Sequence, residues 1–263
     1  MPNRNTFAKP NPSPKSPHPS LLTPDRIALV IFAKAPIPGQ VKTRLCPPLT
    51  PDEAATLHGS FVLDTLERTK AAVAKFKLPI DRYLACAPSS THVFFKIMEE
   101  RQGVRLIDQV GEDIGARMHQ TFATLFAKGY RHVIMVGTDV PSLPLSRYEQ
   151  ACTLLASHDL VLGPALDGGY YLIGLKQPTP GLFADIPWST EHVLARTKKQ
   201  AETLGLTLAT IDPWRDVDTA EDLLALIDAN ALDAKKPRNE QAFSGRTTGA
   251  LQLMAKRLHT RSS

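Results

Sequence analysis

An uninterrupted apolar run at residues 27–33, IALVIFA, constrains the fold of this chain more than any other feature of the sequence. A strand with one wet face alternates apolar and polar residues, whereas a continuous apolar run is typical of a strand buried on both faces of a parallel sheet. Further strands are predicted at 80–86, 104–107, 132–137, 159–163, 170–175 and 206–211, and helices at 51–74, 90–100, 114–128, 145–157, 190–204 and 219–229. This alternation predicts an α/β fold in which helices cover both faces of a mainly parallel sheet.

One pair of predicted strands departs from the alternation. The segments 159–163 and 170–175 are separated only by a short turn that contains glycine, with no helix between them. A parallel crossover needs a dozen or more residues, so strands joined by so short a connection pair antiparallel. We therefore expect one hairpin-like antiparallel insertion in the sheet.

The two termini differ from the body in composition. Residues 1–24 hold seven prolines and a charge of +3, and residues 235–263 carry +6, which leaves −4 for the body of a chain whose total is +5. We predict a disordered Pro-rich tail over 1–24, one folded domain over 25–234 and a basic tail over 235–263, with any short helix near 249–259 outside the core. Because the excess positive charge lies in the predicted tails, the sequence argues against nucleic-acid binding.

The cysteines give a prediction about the compartment. Cys46, Cys86 and Cys152 are widely spaced and form no CxxC pair or metal-ligand cluster, which fits a reducing environment. No apolar run approaches the roughly 18 residues that span a bilayer, and the amino terminus lacks the apolar segment of a secretory signal. We expect a cytoplasmic protein without a membrane span, and the sequence indicates no oligomeric state.

Four loops are expected at the carboxyl ends of the strands, where open α/β sheets bind their ligands. They are 34–45, 138–144, 164–170 and 212–219, and each is rich in Gly, Pro, Asp, Lys or Arg. Residues able to bind and to catalyse therefore gather on the loops that this fold would bring to one edge of the sheet.

The first of these loops contains AKAPIPGQVKTRL. Pro36 and Gly39 predict a stiff connection that a ligand can approach closely. Lys34, Lys42 and Arg44 place three cations in one strand-to-helix connection, where the oxygens of a di- or triphosphate are natural partners. Valine precedes Lys42, so GQVKT is not a Walker A loop, and an ordinary basic surface loop is the alternative interpretation.

Two aspartates near strand ends are the candidate metal ligands. Asp139 follows the strand in VIMVGTD, where an acid can bind Mg²⁺ or Mn²⁺ together with phosphate oxygens, unless it only caps a turn. In WRDVDTAED, Asp218 has the pattern of a helix N-cap with Glu221 at the third helical position. Asp216 has no such local role, so we take Asp216 as the second ligand and Asp218 as a reserve.

The loop ALDGGYY supplies candidate contacts to a substrate or acceptor. Gly168 and Gly169 let a ligand approach the backbone, and Asp167 beside them would orient a hydroxyl group, although Asp-Gly is equally ordinary turn chemistry. Trp188, in PWST, is a candidate stacking or pocket-wall residue. Arg117, in GEDIGARM, either reaches a ligand phosphate or pairs with an acid of its own segment.

Taken in order, AKAPIPGQVKTRL, GEDIGARM, GTDVPSLP, ALDGGYYLIGL, PWST and DVDTAEDL resemble a known bacterial group. This is the GT-A-like "transferase 1" family, associated with radical-SAM and selenodomain proteins and including arsenosugar-biosynthesis-type glycosyltransferases. The resemblance covers roughly 27–229, and the first and last segments are also similar to 2-phospholactate and molybdenum-cofactor guanylyltransferases. It implies a GT-A-like three-layer sandwich, a nucleotide-binding first loop and a metal-site aspartate at Asp139, in GTD rather than DxD.

The hypothesis that leads is glycosyl transfer from a nucleotide-sugar to a small-molecule acceptor. Asp139 and Asp216 would hold Mg²⁺ or Mn²⁺, Lys42 and Arg44 would stabilise the leaving diphosphate, and Asp167 would position a sugar or the acceptor. The alternative is nucleotidyl transfer, in which the same groups activate an NTP and pyrophosphate leaves. A non-catalytic nucleotide sensor and a nucleic-acid binder are weaker hypotheses.

Overall fold

The protein is described here by a computed structural model that places residues 26–237 and 240–261. The strands are β1 (Ile27–Lys34), β2 (Ile80–Ala87), β3 (Arg105–Asp108), β4 (His132–Val136), β5 (Leu160–Pro164), β6 (Tyr170–Leu175) and β7 (Leu208–Thr210). The helices are α1 (Pro51–Phe76), α2 (Val93–Gln102), α3 (Ile114–Ala127), α4 (Ser146–Ser157), α5 (Val193–Thr203), α6 (Ala220–Asp233) and α7 (Gly245–Arg261).

These seven strands form one sheet in the order β3-β2-β1-β4-β6-β5-β7. β1 pairs parallel with β2 on one side and with β4 on the other, which explains why its sequence is apolar throughout. β6 runs antiparallel to both β4 and β5, so the predicted hairpin-like insertion is confirmed. The remaining pairs, β2 with β3 and β5 with β7, are parallel.

Helices cover both faces of the sheet, as the alternation of elements predicts. Leu29 and Ile31 of β1 point into one apolar cluster, and Ala28 and Val30 point into another on the opposite face. The first cluster includes Leu66 of α1, Phe95 of α2 and Leu155 of α4, and the second includes Phe122 of α3 and Ala201 of α5. The predicted α/β three-layer architecture is therefore confirmed.

A third apolar cluster lies beside the sheet and brings the carboxy-terminal helix into the core. Leu251 and Met254 of α7 are buried together with Leu57 and Phe61 of α1. The expectation that a helix near 249–259 lies outside the core is therefore wrong. The basic composition of this segment masks an apolar face whose residues recur at helical spacing. Arg246, one of its basic residues, forms ion pairs with two acids of α1.

The Pro-rich segment predicted over 1–24 lies outside the residues that the structure describes. Within the described ranges, every helix is too short or too polar to cross a bilayer.

Candidate metal and nucleotide site

The four loops that follow the carboxyl ends of β1, β4, β5 and β7 meet at one edge of the sheet. The amide of Val217 donates to the carbonyl of Asp139 at 3.0 Å, which joins the last loop to the one after β4. The amide of Trp214 donates to the carbonyl of Pro164, also at 3.0 Å, which joins it to the loop after β5. The first loop reaches the same point, because Lys42 Nζ donates to the Val217 carbonyl at 2.6 Å.

Lys42 is an internal counter-ion in this edge. Its ammonium lies 2.6 Å from Asp139 Oδ1 and 2.7 Å from Asp218 Oδ1, and its side chain is only 4% exposed. Burial alone would lower the pKa of Lys42, but the two carboxylates hold it above its ordinary value. Sequence predicts that Lys42 binds phosphate, whereas the structure directs its ammonium towards protein oxygens; its role on phosphate stays a prediction.

Asp167, Asp216 and Asp218 form a compact cluster of acids. Among the residues that the structure describes, each offers a carboxylate oxygen such that all three oxygens lie within 4.8 Å of one another. Asp216 is 9% exposed, and burial together with the charges of Asp167 and Asp218 raises its pKa to about 7. Burial is the larger cause of this rise, and repulsion from the two neighbouring carboxylates adds to it.

Asp218 takes part because it is not the helix cap that its sequence pattern predicts. Thr219 caps α6, and its hydroxyl accepts from the amide of Asp222 at 3.3 Å while Asp222 Oδ2 accepts from the amide of Thr219 at 3.0 Å. The cap is thus one residue later than predicted, with Asp222 in place of Glu221 at the third helical position. A threonine hydroxyl performs the capping, so the Asp218 carboxylate is free to meet Lys42 and the cluster.

Asp139 contacts the same Lys42 ammonium but is not a member of this three-acid group. Burial alone would raise the pKa of Asp139, but Lys42 and then His58 hold it below its ordinary value. Of the two metal ligands predicted from sequence, the structure therefore places Asp216 among clustered acids and Asp139 beside a lysine. Asp167, predicted as a substrate contact, is a member of the cluster.

A cavity of about 290 Å³ opens next to this edge, over the ends of β1 and β2. Lys34 and Arg117, both predicted to bind nucleotide, border it together with Gln40 and Gln109. The Lys34 side chain is exposed and makes no ion pair with any described residue. Arg117 Nε donates to the Gly111 carbonyl at 2.9 Å and pairs with no acid that the structure describes, which leaves its terminal nitrogens available.

The other residues of the predicted nucleotide loop lie outside the lining of this cavity. Pro36 packs against α1, where a Cβ added to Gly59 would lie 3.4 Å from the Pro36 Cβ. Gly39 has a φ of +75° in an open turn, a conformation that favours glycine. Arg44 is exposed in a 3-10 turn over Thr43–Leu45 and makes no ion pair within the described part of the chain.

The loop of Asp167 is tied to the segment that carries Trp188. Gly168 has a φ of +90°, and a Cβ there would lie 2.2 Å from the Glu191 carbonyl oxygen, so the close approach requires glycine. The Gly169 amide donates to Asp167 Oδ1 at 2.8 Å, which orients that carboxylate. Asp167 therefore makes the hydrogen bond of an ordinary Asp-Gly turn, as the alternative interpretation of the sequence expects, and it also belongs to the acid cluster.

Trp188 borders a second cavity of about 410 Å³. Its ring stacks with Phe183 at a centroid distance of 6.5 Å and lies over Gly115, where a Cβ would be 2.4 Å from the indole Nε1. His119 and Asp185 also line this cavity. The pocket-wall position predicted for Trp188 fits this arrangement, while its role in substrate binding stays a prediction.

Two residues of the site were not found by sequence reasoning. His58 is 5% exposed, and its Nε2 lies 3.0 Å from the carbonyl oxygen of Lys34. Burial lowers its pKa, so the ring is neutral near pH 7 and Nε2–H donates, which fixes the backbone at the end of β1. Gln109 follows β3 directly; the rule that strand ends carry ligand contacts would have pointed to it, whereas no local pattern marks His58.

Comparisons with known proteins bear on the family and the fold. A family model described as "Uncharacterized protein conserved in bacteria (DUF2064)" matches residues 70–190. The crystal structure of a candidate nucleotide-diphospho-sugar transferase from Desulfovibrio desulfuricans G20 has 30% sequence identity, a TM-score of 0.75, and coverage of 88% of this chain and 95% of its own. The chain belongs to the same family as this Desulfovibrio protein.

More distant similarity shows only the fold of this chain. The 4-diphosphocytidyl-2C-methyl-D-erythritol synthase of Anaerococcus prevotii DSM 20548 has 13% identity and a TM-score of 0.51, covering 80% of this chain and 98% of its own. No curated protein matches the sequence. The similarity to the Desulfovibrio structure confirms the predicted fold, which is that of nucleotide-diphospho-sugar transferases.

Proposed function

We propose that this protein is a metal-dependent glycosyltransferase that uses a nucleotide-sugar donor. The observation that carries the proposal is the cluster of Asp167, Asp216 and Asp218 at the ligand-binding edge of this fold. The cluster adjoins the basic cavity: Val41 lines the cavity, and the next residue, Lys42, contacts Asp218. A nucleotide in the cavity would thus direct its diphosphate towards the acids.

The acid cluster fits a hard divalent cation. Carboxylate oxygens are the ligands that Mg²⁺ and Mn²⁺ prefer. Asp167 and Asp218 add repulsion to the burial that raises the pKa of Asp216, and a bound cation would relieve that repulsion. Such an ion would supply electrostatic stabilisation of the departing nucleoside diphosphate. Asp139, predicted from sequence as a ligand, would act beside it by holding Lys42.

The remaining roles follow from where the side chains lie. Lys34 and Arg117 are the cations free to bind nucleotide oxygens, and Arg44 is close enough in sequence to Lys42 to assist from outside the cavity. Asp167, oriented by the Gly169 amide, would accept a hydrogen bond from a sugar or acceptor hydroxyl. The cavity walled by Trp188 would receive a small acceptor, with the aromatic face contacting its apolar side.

Nucleotidyl transfer is the second candidate. It is favoured by the two unpaired cations of the first cavity, Lys34 and Arg117, since a triphosphate has more negative charge to match than a diphosphate. The resemblance of the first and last loops to guanylyltransferases supports the same chemistry. In that case the acceptor attacks the α-phosphorus, and pyrophosphate leaves.

Thermal unfolding with a panel of ligands tests both functions. NDP-sugars, NDPs and NTPs are added with and without Mg²⁺ or Mn²⁺, and saturation at 100-fold over Kd would add about 2.7 kcal/mol. Metal-dependent stabilisation by an NDP-sugar, lost in Asp216→Asn but kept in Asp81→Asn at the opposite edge, supports glycosyl transfer. Stabilisation by NTPs in preference to NDP-sugars supports nucleotidyl transfer, and no response to any nucleotide contradicts both.

A further inference from the structure

Gln109 is anchored at the end of β3 and borders the first cavity. Its backbone amide donates to the Cys86 carbonyl at 3.0 Å, which continues the pairing of β2 with β3. Its side-chain Nε2 donates to the carbonyls of Ala33 and Ala85, both at 2.9 Å. The side chain thus bridges β1 and β2 at the floor of the cavity.

These two contacts fix which way the amide faces. A carbonyl oxygen only accepts hydrogen bonds, so both carbonyls require the nitrogen of Gln109 and exclude the flipped amide. Both N–H groups of Nε2 are then used. The oxygen Oε1 has no hydrogen-bond partner among the residues that the structure describes. Because Gln109 borders the cavity, we take Oε1 as an acceptor held in place for a ligand there.

The charged groups around this acceptor are donors. Lys34 and Arg117 border the same cavity, and neither side chain can accept a hydrogen bond. A ligand that satisfies all three must donate to Gln109 and accept from the cations. Guanine and cytosine carry an exocyclic amine and a carbonyl on one edge, so the amine can reach Oε1 without bringing a carbonyl oxygen against it. The donor of uracil or hypoxanthine on that edge is a ring N–H directly beside a carbonyl, whose oxygen would repel Oε1. Adenine has the amine but offers the cations only ring nitrogens.

We propose that Gln109 is a specificity-determining residue that selects nucleotides whose base carries both an exocyclic amine and a carbonyl. This inference rests on the proposed function, since it names the base of the nucleotide in that same cavity. Guanine and cytosine share the chemistry. Oε1 accepts from the amine, and Lys34 or Arg117 donates to the carbonyl.

Two pairs of nucleotides test the proposal by isothermal titration of the full chain in Mg²⁺. GDP and IDP differ by the 2-amino group, and CDP and UDP differ by an amine in place of an oxygen at position 4. We expect one pair to show about tenfold tighter binding of the member with the amine, the effect of one hydrogen bond to a site that is otherwise left unpaired. ADP, which lacks the carbonyl, is expected to bind more weakly than the preferred nucleotide.

Gln109→Lys is the decisive variant. Its ammonium can still donate to the carbonyls of Ala33 and Ala85, so the bridge between β1 and β2 is kept, but no acceptor remains. The added charge acts equally on the phosphates of both members of a pair and cancels in their affinity ratio. We expect the ratio to fall from about ten to about one. Gln109→Met, which removes both donor and acceptor, should give the same ratio if the variant retains a cooperative unfolding transition.

The possible failures are distinguishable. Metal-dependent binding of all four nucleotides with equal affinity would overturn the role of Gln109 and leave the nucleotide site intact. A preference for the amine-bearing base that survives in Gln109→Lys would assign the selection to another group and overturn the proposal. Absence of binding by every nucleotide would overturn the proposed function and this inference together.

Discussion

Two polar clusters lie at opposite edges of the same sheet and differ in how their charges are balanced. At the amino edge, Asp81 accepts from Arg26 and, at 2.7 Å, from the hydroxyl of Tyr130, with Arg105 3.9 Å away. At the carboxyl edge, three clustered acids have one ammonium in contact, which reaches them through Asp218. The first cluster contains more cations than acids, and the second contains more acids than cations.

The contrast separates charges that hold the fold from charges that await a partner. A buried acid with donors on every side has its desolvation offset, whereas clustered acids without enough cations destabilise the folded state. A cluster with too few cations is retained where a bound ligand offsets its negative charge, and perturbed pKa values are therefore concentrated at functional sites. We therefore propose the carboxyl edge as the functional one, although both edges look polar in the sequence.

The largest effect is expected where the carboxyl edge loses its internal cation. Lys42→Met leaves Asp139 and Asp218 without their shared ammonium and should lower the free energy of unfolding by about 2 kcal/mol. The two acids are 39% and 31% exposed, so solvent reduces the cost of about 3 kcal/mol or more that breaking a fully buried pair would have. Arg26→Met at the amino edge, whose side chain is 40% exposed, should cost less than about 1 kcal/mol. Urea denaturation measures both, and equal losses would contradict the comparison.

The next effect concerns ligand binding. Asp216→Asn removes one carboxylate from the three-acid cluster and should weaken metal-dependent nucleotide binding about 100-fold, since ligand-set changes commonly cost 10 to 100-fold or more in metal affinity. Asp81→Asn makes the same chemical change at the amino edge and should leave the nucleotide Kd unchanged. Titration calorimetry in Mg²⁺ checks both, and a similar loss in the two variants would show a general structural effect.

In the absence of metal, the same substitution, Asp216→Asn, should stabilise the folded protein although it weakens ligand binding. Asp216→Asn relieves the burial and repulsion that raise the pKa of Asp216 to about 7. We expect the metal-free variant to be more stable than the parent by about 1 kcal/mol at pH 8, where the parent carboxyl is charged. Chemical denaturation in EDTA measures this, and a destabilised variant would mean that the carboxylate is already neutralised.

The smallest effect comes from a buried acid that is fully satisfied. Burial alone would raise the pKa of Asp233, but the amide of Phe243, Lys236 and the amide of Ala242 together lower it below 3.8. The stabilisation is therefore present above about pH 4 and is lost as the pH falls through the lower folded-state pKa. Asp233→Asn should cost about 1 kcal/mol at pH 7 and less at pH 3.

Asp228→Asn provides the control on the same helix, because Asp228 is exposed and makes no hydrogen bond or ion pair with the described residues. Its unfolding free energy should follow that of the parent at both pH values. If the difference in unfolding free energy between Asp233→Asn and the parent stays constant with pH, the charge of the Asp233 carboxylate is not the source of the stabilisation.

The sequence predicts the sheet, the hairpin-like insertion and the loops of the site, because each depends on local periodicity and on one topological rule. The sequence marks Asp167 and Asp216 as candidates on two different loops. It does not reveal that they are close together, because that depends on how β5, β7 and α6 pack. Asp218 was misassigned because two adjacent residues, Asp218 and Thr219, can both cap a helix, and side-chain reach decides between them. Lys42 pairs with residues about 100 and 176 positions away, which no local pattern reveals.

One residue links the acid cluster to the end of the described chain. Val217, between Asp216 and Asp218, is buried in the third apolar cluster with Leu251 and Met254 of α7. During synthesis, the two acids would therefore leave the ribosome before α7, which completes this apolar cluster. A nascent chain that lacks α7 would hold every charged group of the site while the cluster that buries Val217 still lacked Leu251 and Met254.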